Sequence, residues 1–401
     1  MDSKVLISIL GNNDYLECRH TFDNGWVGDI PVKYIQEDLA KYFCSDWDNN
    51  SEIRIFLTED AKKKNWLDDG HNVPNEGLQK RLEQLKLEVN IKAINIPTGN
   101  NQQEIWEIFK IIHNSFRENE EVIIDITHAF RYLPLLLTIL LNYSKLIKNI
   151  KVMGIYYAAF ESLGSINEIR KIDTNKRLVP IFNLTAFVEL QDWTLATFDY
   201  FNNTNTSALT ELVKAEIPHS GNTKDKMNED VISLKKLIRS LDEISNNIAL
   251  CRGSEIFKYK YDSIIESIEN MKQKARVPEP FFPLLDSIKN KIQPLNSELI
   301  NKLVALADWC LNHKLYQQAI TLLQESLITL LLINENTDTS IKSNREAASS
   351  SYQIYSEKIP ASNWKGAAVK NKKLTEKFLA STFLQKYSKA YNKLTAIRND
   401  G

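Results

Sequence analysis

Five short runs of β-branched and large apolar residues constrain the fold of the first 160 residues more than any other feature. They are "KVLISIL" (4–10), "IRIFLT" (53–58), "VNIKAINI" (89–96), "EVIIDIT" (121–127) and "VMGIYYAAF" (152–160). Gly11 stops the first and Pro97 the third. Segments of helical spacing lie between them, one with Leu78, Leu82 and Leu85, another with Ile105, Ile108, Phe109 and Ile112. Strands alternating with helices predict βαβ units, and hence an α/β domain whose parallel sheet is covered on both faces.

The second half changes character. From about Asn183 the pattern is helical, with little strand signal. Leu234, Leu237, Ile238, Leu241, Ile244 and Ile248 form one apolar stripe, and residues 303–333 read as two helices meeting near Asn312. Two polar, turn-rich stretches, 202–230 and 334–351, read as loose segments that order on assembly. The expected division is an α/β domain over 1–185 and an all-α domain over 186–401.

With 50 basic and 51 acidic residues the chain has no net field to recruit nucleic acid or membrane. The charge is uneven, though. Residues 351–401 hold ten Lys or Arg against three acids, which is either a solvated helix face or a surface that meets a polyanion. Cys18, Cys44, Cys251 and Cys310 form no CxxC pair, so neither a zinc site nor a redox pair is expected, and no metal ligand set is assigned. The N-terminus lacks the basic and cleavage regions of a signal peptide, and the run "YLPLLLTILLNY" is too short to span a bilayer. A cytoplasmic protein with reduced thiols and no membrane partner is expected.

The stretch "DITHAFRYLP" (125–134) carries the chemistry. Ligands of an open parallel sheet bind beyond the carboxyl ends of its strands. Pro134 suits the first turn of a helix. Thr127, His128 and Arg131 then stand at a strand-to-helix junction, where free N–H groups favour an anion and Arg131 could pair with phosphate. The other strand ends add Gly11, Asn12 and Asn13 after the first strand and Thr58 after the second. Gly11 would let backbone approach a nucleotide closely, although the GxGxxG spacing of a dinucleotide site is absent. The structural alternative is that Asp125 and Thr127 cap turns, His128 is a satisfied histidine and Arg131 is solvated.

Taken with "ILGNNDY", "FLTEDA", "IPTGNNQQEIW" and "GIYYAAFE", this stretch resembles the CARF (CRISPR-associated Rossmann fold) sensor domain of type III CRISPR ancillary proteins, over about residues 1–185. The helical remainder resembles the HEPN ribonuclease domain of the same proteins, with weaker motifs. The resemblance implies a Rossmann-like sheet domain followed by a helical one, in a homodimer. Its two CARF domains would bind a cyclic oligoadenylate of four or six units, the activator. Its two HEPN domains would then cut single-stranded RNA, with no cofactor required. The ligand candidates carried over by position are Gly11, Asn12, Asn13, Thr58, Thr127, His128 and Arg131.

The HEPN motif is an Arg, a polar residue, several more residues and a His. Arg398 and Asn399 fit its start as catalytic candidates, but the expected His falls two positions past Gly401, and His313 reads as structural. The expectation is a chain cut short within its motif. Positioning and acid–base help of this kind is worth about 10²–10⁴-fold, so RNA cleavage by the chain as it stands would be badly impaired. Three functions stay open at this point. One is a ring-activated ribonuclease. Another is a ring-binding module or ring nuclease that leaves RNA intact. The third is a nucleotide-binding Rossmann domain on an unrelated helical domain.

Overall fold

A computed structural model describes residues 3–67, 76–128, 132–215, 229–273 and 279–400. Two compact units divide the chain, Met1–Glu189 and Leu190–Gly401.

The first unit is built on seven strands: β1 (Lys4–Leu10), β2 (Arg19–Phe22), β3 (Glu52–Leu57), β4 (Asn90–Asn95), β5 (Glu121–Asp125), β6 (Lys151–Ala158) and β7 (Leu178–Asn183). Their order in the sheet is β2-β7-β6-β5-β1-β3-β4. The five strands read from the sequence run parallel. The other two correct the expectation of a wholly parallel sheet: β7 pairs antiparallel with β6, and β2 then lies parallel to β7. The helices of this unit are α1 (Ile35–Cys44), the single turn α2 (Glu59–Ala61), α3 (Leu78–Gln84), α4 (Gln102–Ser115), α5 (Leu133–Lys148) and the short α6 (Ile166–Ile169). Leu39, Leu78 and Leu82 pack on one face of the sheet with Leu6 and Ile53. Ile108, Ile112, Leu137 and Leu141 pack on the other with Ile7 and Ile124. Pro134 sits in the first turn of α5, where its missing N–H leaves no helical bond unmade.

At the amino edge of the sheet the Arg54 guanidinium is buried between two carboxylates. It grips Glu120 with both terminal nitrogens at 2.9 and 2.7 Å, and its Nε donates to Glu52 at 2.7 Å. Lys92 completes Glu52 at 2.6 Å. Three strands or their approaches are thus tied together at the end of the sheet opposite the strands' carboxyl ends.

The second unit is helical. α7 (Thr185–Asn203) leads into it, followed by α8 (Ser207–Ala215), α9 (Glu229–Ala249), α10 (Gly253–Lys258), α11 (Tyr261–Gln273), α12 (Phe282–Ile292), α13 (Leu299–Asn312), α14 (Tyr316–Asn334), α15 (Lys342–Glu357), α16 (Ala367–Lys370), α17 (Lys372–Leu379) and α18 (Thr382–Asp400). The α9 stripe is buried at Leu237, Ile238, Leu241, Ile244 and Ile248. A second core gathers Leu331, Leu332, Ala348, Tyr352, Phe378 and Leu384 from α14, α15, α17 and α18. The two stretches read as loose are partly wrong. α8 occupies 207–215, and α15 begins at Lys342 and buries Ala347, Ala348, Ser351 and Tyr352 on one side. Among the described residues no helix is long and apolar enough to cross a membrane.

Candidate functional site

The chain leaves β1 for β3 and β4 on one side and returns to β5 and β6 on the other. A crevice therefore opens beyond the carboxyl ends of β1 and β5, the place where open α/β sheets hold ligands. There the structure has a cavity of about 520 Å³. Asn13, Asp14 and Tyr15 line it from the loop after β1, Thr127 and His128 from the end of β5, and Tyr157 and Ala158 from the end of β6. Lys33, Arg170 and His20 bring positive charge to its wall.

Buried hydrogen bonds hold the strand ends in place. Asp125 is Ser8's partner in the β1–β5 register, and its Oδ2 accepts from the Ser8 hydroxyl at 2.6 Å. Gln36 donates to that same hydroxyl at 2.8 Å. Oδ1 of Asp125 accepts from the Thr127 N–H at 2.9 Å. β5 thus ends at Asp125, two residues earlier than the sequence suggested, because that carboxylate turns the chain out of the ladder. Burial raises the Asp125 pKa, and its hydrogen bonds oppose that shift. Thr127 Oγ1 accepts from the Ala158 N–H at 2.9 Å, locking the β5 end to the β6 end.

Asn65, from the turn after β3, donates from one side-chain amide to the carbonyls of Gly11 at 2.8 Å and Asn13 at 3.0 Å. Tyr15 folds back over Gly11, where a Cβ would come within 2.6 Å of its hydroxyl. The space that Gly11 leaves is thus filled by Tyr15. The same ring leans on His128, with centroids 4.1 Å apart. Burial, and then the nearby His20 cation, push the His128 imidazole down to about 3.

His20 has the opposite character. Burial alone would lower its pKa, but Nδ1–H donates to buried Asp38 at 2.8 Å and Nε2 meets Cys18 Sγ at 3.5 Å, and together these raise it to about 9. A fixed cation and a neutral imidazole therefore share one wall of the cavity.

This pair sets a pH window. His20 has a folded pKa above its free value of 6.5, so its stabilisation is complete below about 6.5 and is lost as pH rises through about 9. His128 has a folded pKa below 6.5, so its contribution is complete above about 6.5 and is lost as pH falls toward about 3. Thermal unfolding of the first unit should therefore show a stability maximum near pH 6.5, with an alkaline limb falling between about pH 6.5 and 9 and an acid limb falling between about pH 6.5 and 3. His20→Gln should flatten the alkaline limb and, by removing a charge that helps hold His128 down, shrink the acid limb only slightly, since burial is the larger cause there. An alkaline limb of equal slope in that variant would contradict the pairing.

The sequence candidates separate on this map. Asn13, Thr127 and His128 line the cavity. Gly11 is buried behind it, and Asn12 is exposed beside it. Thr58 is buried at the N-terminus of α2, where its hydroxyl accepts from the Ala61 N–H at 3.3 Å, and it does not line the cavity. Arg131 lies outside the described residues. Arg398 and Asn399 are exposed in the last turn of α18. Sequence reasoning missed Tyr15, Asn65, His20, Lys33 and Arg170. Only Tyr15 had a local signal, standing four residues past the glycine that ends β1.

Residues 5–161 match the sequence profile of the CARF domain of the CRISPR system endoribonuclease Csx1. The chain is also similar to the CRISPR-associated protein MJ1674 of Methanocaldococcus jannaschii. The two are 23% identical over 329 residues, which make up 80% of this chain and 44% of that protein. The chain thus spans less than half the length of this relative.

Proposed function

We propose, for a chain that belongs to the CARF-containing family of type III CRISPR-associated proteins, that the cavity at the carboxyl ends of β1, β5 and β6 binds a cyclic oligoadenylate. The helical unit acts in response as a ribonuclease on single-stranded RNA. The observation that carries the first half is the convergence of three strand ends on a cavity whose wall bears, besides the His20 cation paired with Asp38, two further cations. Lys33 and Arg170 make no ion pair among the described residues, so both are available to phosphate. The two acids of the lining are already engaged: Asp14 with Lys64 at 3.0 Å, and Glu161 with the Tyr157 hydroxyl at 2.5 Å.

A ring of four or six adenylates is larger than the drug-sized ligands that about 520 Å³ accommodates. Its even symmetry suits two cavities related by a two-fold axis. α5 begins five residues after His128 and offers a face for such a pairing. Leu135, Ile139, Tyr143 and Leu146 follow helical spacing along one side and are 69, 55, 45 and 83% exposed. A contiguous apolar stripe of this kind marks an interaction surface, and a helix face meeting its own copy needs no second complementary surface. The paired substitution Ile139→Lys with Leu146→Lys should give a folded monomer by sedimentation, with ring affinity lowered at least about tenfold. A variant that stays dimeric would remove α5 from the interface.

The effector half is tested by RNA cleavage. A fluorescent unstructured RNA incubated with the protein should be cut faster when cyclic tetra- or hexaadenylate is added, though slowly in absolute terms, because no His follows Arg398 in this sequence. Arg398→Ala should abolish the ring-dependent increment while leaving ring binding intact. Cleavage unaffected by Arg398→Ala would place the chemistry elsewhere.

A further inference from the structure

We infer that the exposed lysine face of α18 is a docking track for single-stranded RNA, distinct from the Arg398 position. This rests on the RNA substrate proposed above. The charge of the chain is segregated: residues 342–400 hold twelve Lys or Arg against four Asp or Glu, whereas the rest of the chain carries an excess of nine acids. A polyanion approaching this chain meets a strongly positive region here.

The charges are also largely unneutralised. Lys342 pairs with Glu346, Arg345 with Glu325, and Lys372 with Glu376, while Lys377 donates to the Glu335 carbonyl. Lys365, Lys370, Lys373, Lys386, Lys389 and Lys393 are exposed and make no ion pair among the described residues. On α18 the last three stand at i, i+3 and i+7, along one side of about two turns. The opposite side is the packed one, with Leu384, Ser388 and Tyr391 buried. Helical geometry turns Arg398 about 100° or more away from the lysine side, toward that packed side.

The residue types narrow the partner. Lysines are mobile point charges without the planar fork that reads a base edge, so they favour backbone contact without sequence preference. The half-buried Tyr387 ring stands on the same flank of α18 as Arg398, and of the three lysines Lys386 reaches it, with Nζ 5.2 Å from the ring centroid and the Phe383 ring 4.7 Å away. A half-open aromatic face at the edge of a cationic track can stack an unpaired base, which a duplex does not offer.

The test is fluorescence anisotropy with a labelled unstructured RNA over about 50 to 300 mM salt, without ring ligand. The combined variant Lys386→Glu, Lys389→Glu and Lys393→Glu should weaken binding at least about tenfold. The milder Gln series should make the slope of log affinity on log salt shallower by about 2, since each phosphate contact on a single strand contributes about 0.7. Tyr387→Leu should weaken binding several-fold without changing that slope. Unchanged affinity and slope in the Gln series would overturn the track, and so would equal affinity for a duplex of the same length. Ring binding, measured by calorimetry on the same variants, should be unaltered. Its absence from the unsubstituted protein would sink the sensor reading while leaving the RNA surface standing.

Discussion

Arg54→Ala should be the most damaging single substitution in the first unit, lowering its stability by about 3–5 kcal/mol. The side chains of Arg54, Glu52 and Glu120 are at most 3% exposed. Removing the guanidinium leaves Glu120 buried with only the Arg117 N–H at 3.0 Å and a long contact to the Ser3 hydroxyl. Glu52 keeps Lys92 and Arg117, so the penalty falls mainly on Glu120. For a unit of this size each kcal/mol moves the midpoint by about 2–4 °C, so a drop of roughly 6–20 °C is expected in calorimetry. Arg54→Lys should recover little of it, because an ammonium cannot make the two-pronged grip. A loss below about 1 kcal/mol for Arg54→Ala would mean that water reaches Glu120.

The second large effect concerns ligand binding. Substituting Lys33→Ala and Arg170→Ala together should weaken cyclic oligoadenylate binding by about 10²–10⁴-fold, at about 1.5–3 kcal/mol for each hydrogen bond to a charged group. Neither cation supports the fold through an ion pair, and both stand on the cavity wall. The melting temperature without ligand should therefore be nearly unchanged. Lys33 is itself tuned: burial, and then the Arg81 charge, lower its pKa. Its contribution to anion binding should accordingly fade at a lower pH than that of an exposed lysine, while Arg170 persists. Equal binding by the double variant and the unsubstituted protein would place the phosphates elsewhere.

The sequence exposed those parts of the fold whose signal is local. Of the five strands that were readable, β1 and β3 are continuous apolar runs buried along nearly their whole length, whereas β4, at the sheet edge, has no fully buried residue and was legible from its alternation. β2 and β7 were missed for identifiable reasons. β2 is four residues long with Arg19 and His20 in it, and His20 is stabilised there by Asp38, eighteen positions away. β7 contains Pro180, which normally marks an edge or the end of a strand, and it pairs with β6 through only three residues. α15 was hidden by small residues. Ala347, Ala348, Ser351 and Tyr352 do keep helical spacing, but most of them are too small to register as an apolar stripe.

The site divides along the same line. Thr127, His128 and Asn13 were legible because a strand's carboxyl end is visible from the run that precedes it. The groups that shape the cavity around them were not. Asn65 reaches Gly11 across 54 positions, and Thr127 reaches Ala158 across 31. Such contacts are made by the sheet order, which no local pattern encodes. The same order explains why Thr58, at the end of a neighbouring strand, caps its own helix and stays off the cavity.

Calorimetric titration of cyclic tetraadenylate and cyclic hexaadenylate into the unsubstituted protein, and into the Lys33→Ala and Arg170→Ala double variant, tests the central claim most directly. The account predicts tight binding of one of the two rings at one ring per two chains, lost or greatly weakened in the double variant. Binding of neither ring by the folded protein would contradict it, as would binding at one ring per chain that is indifferent to both cations.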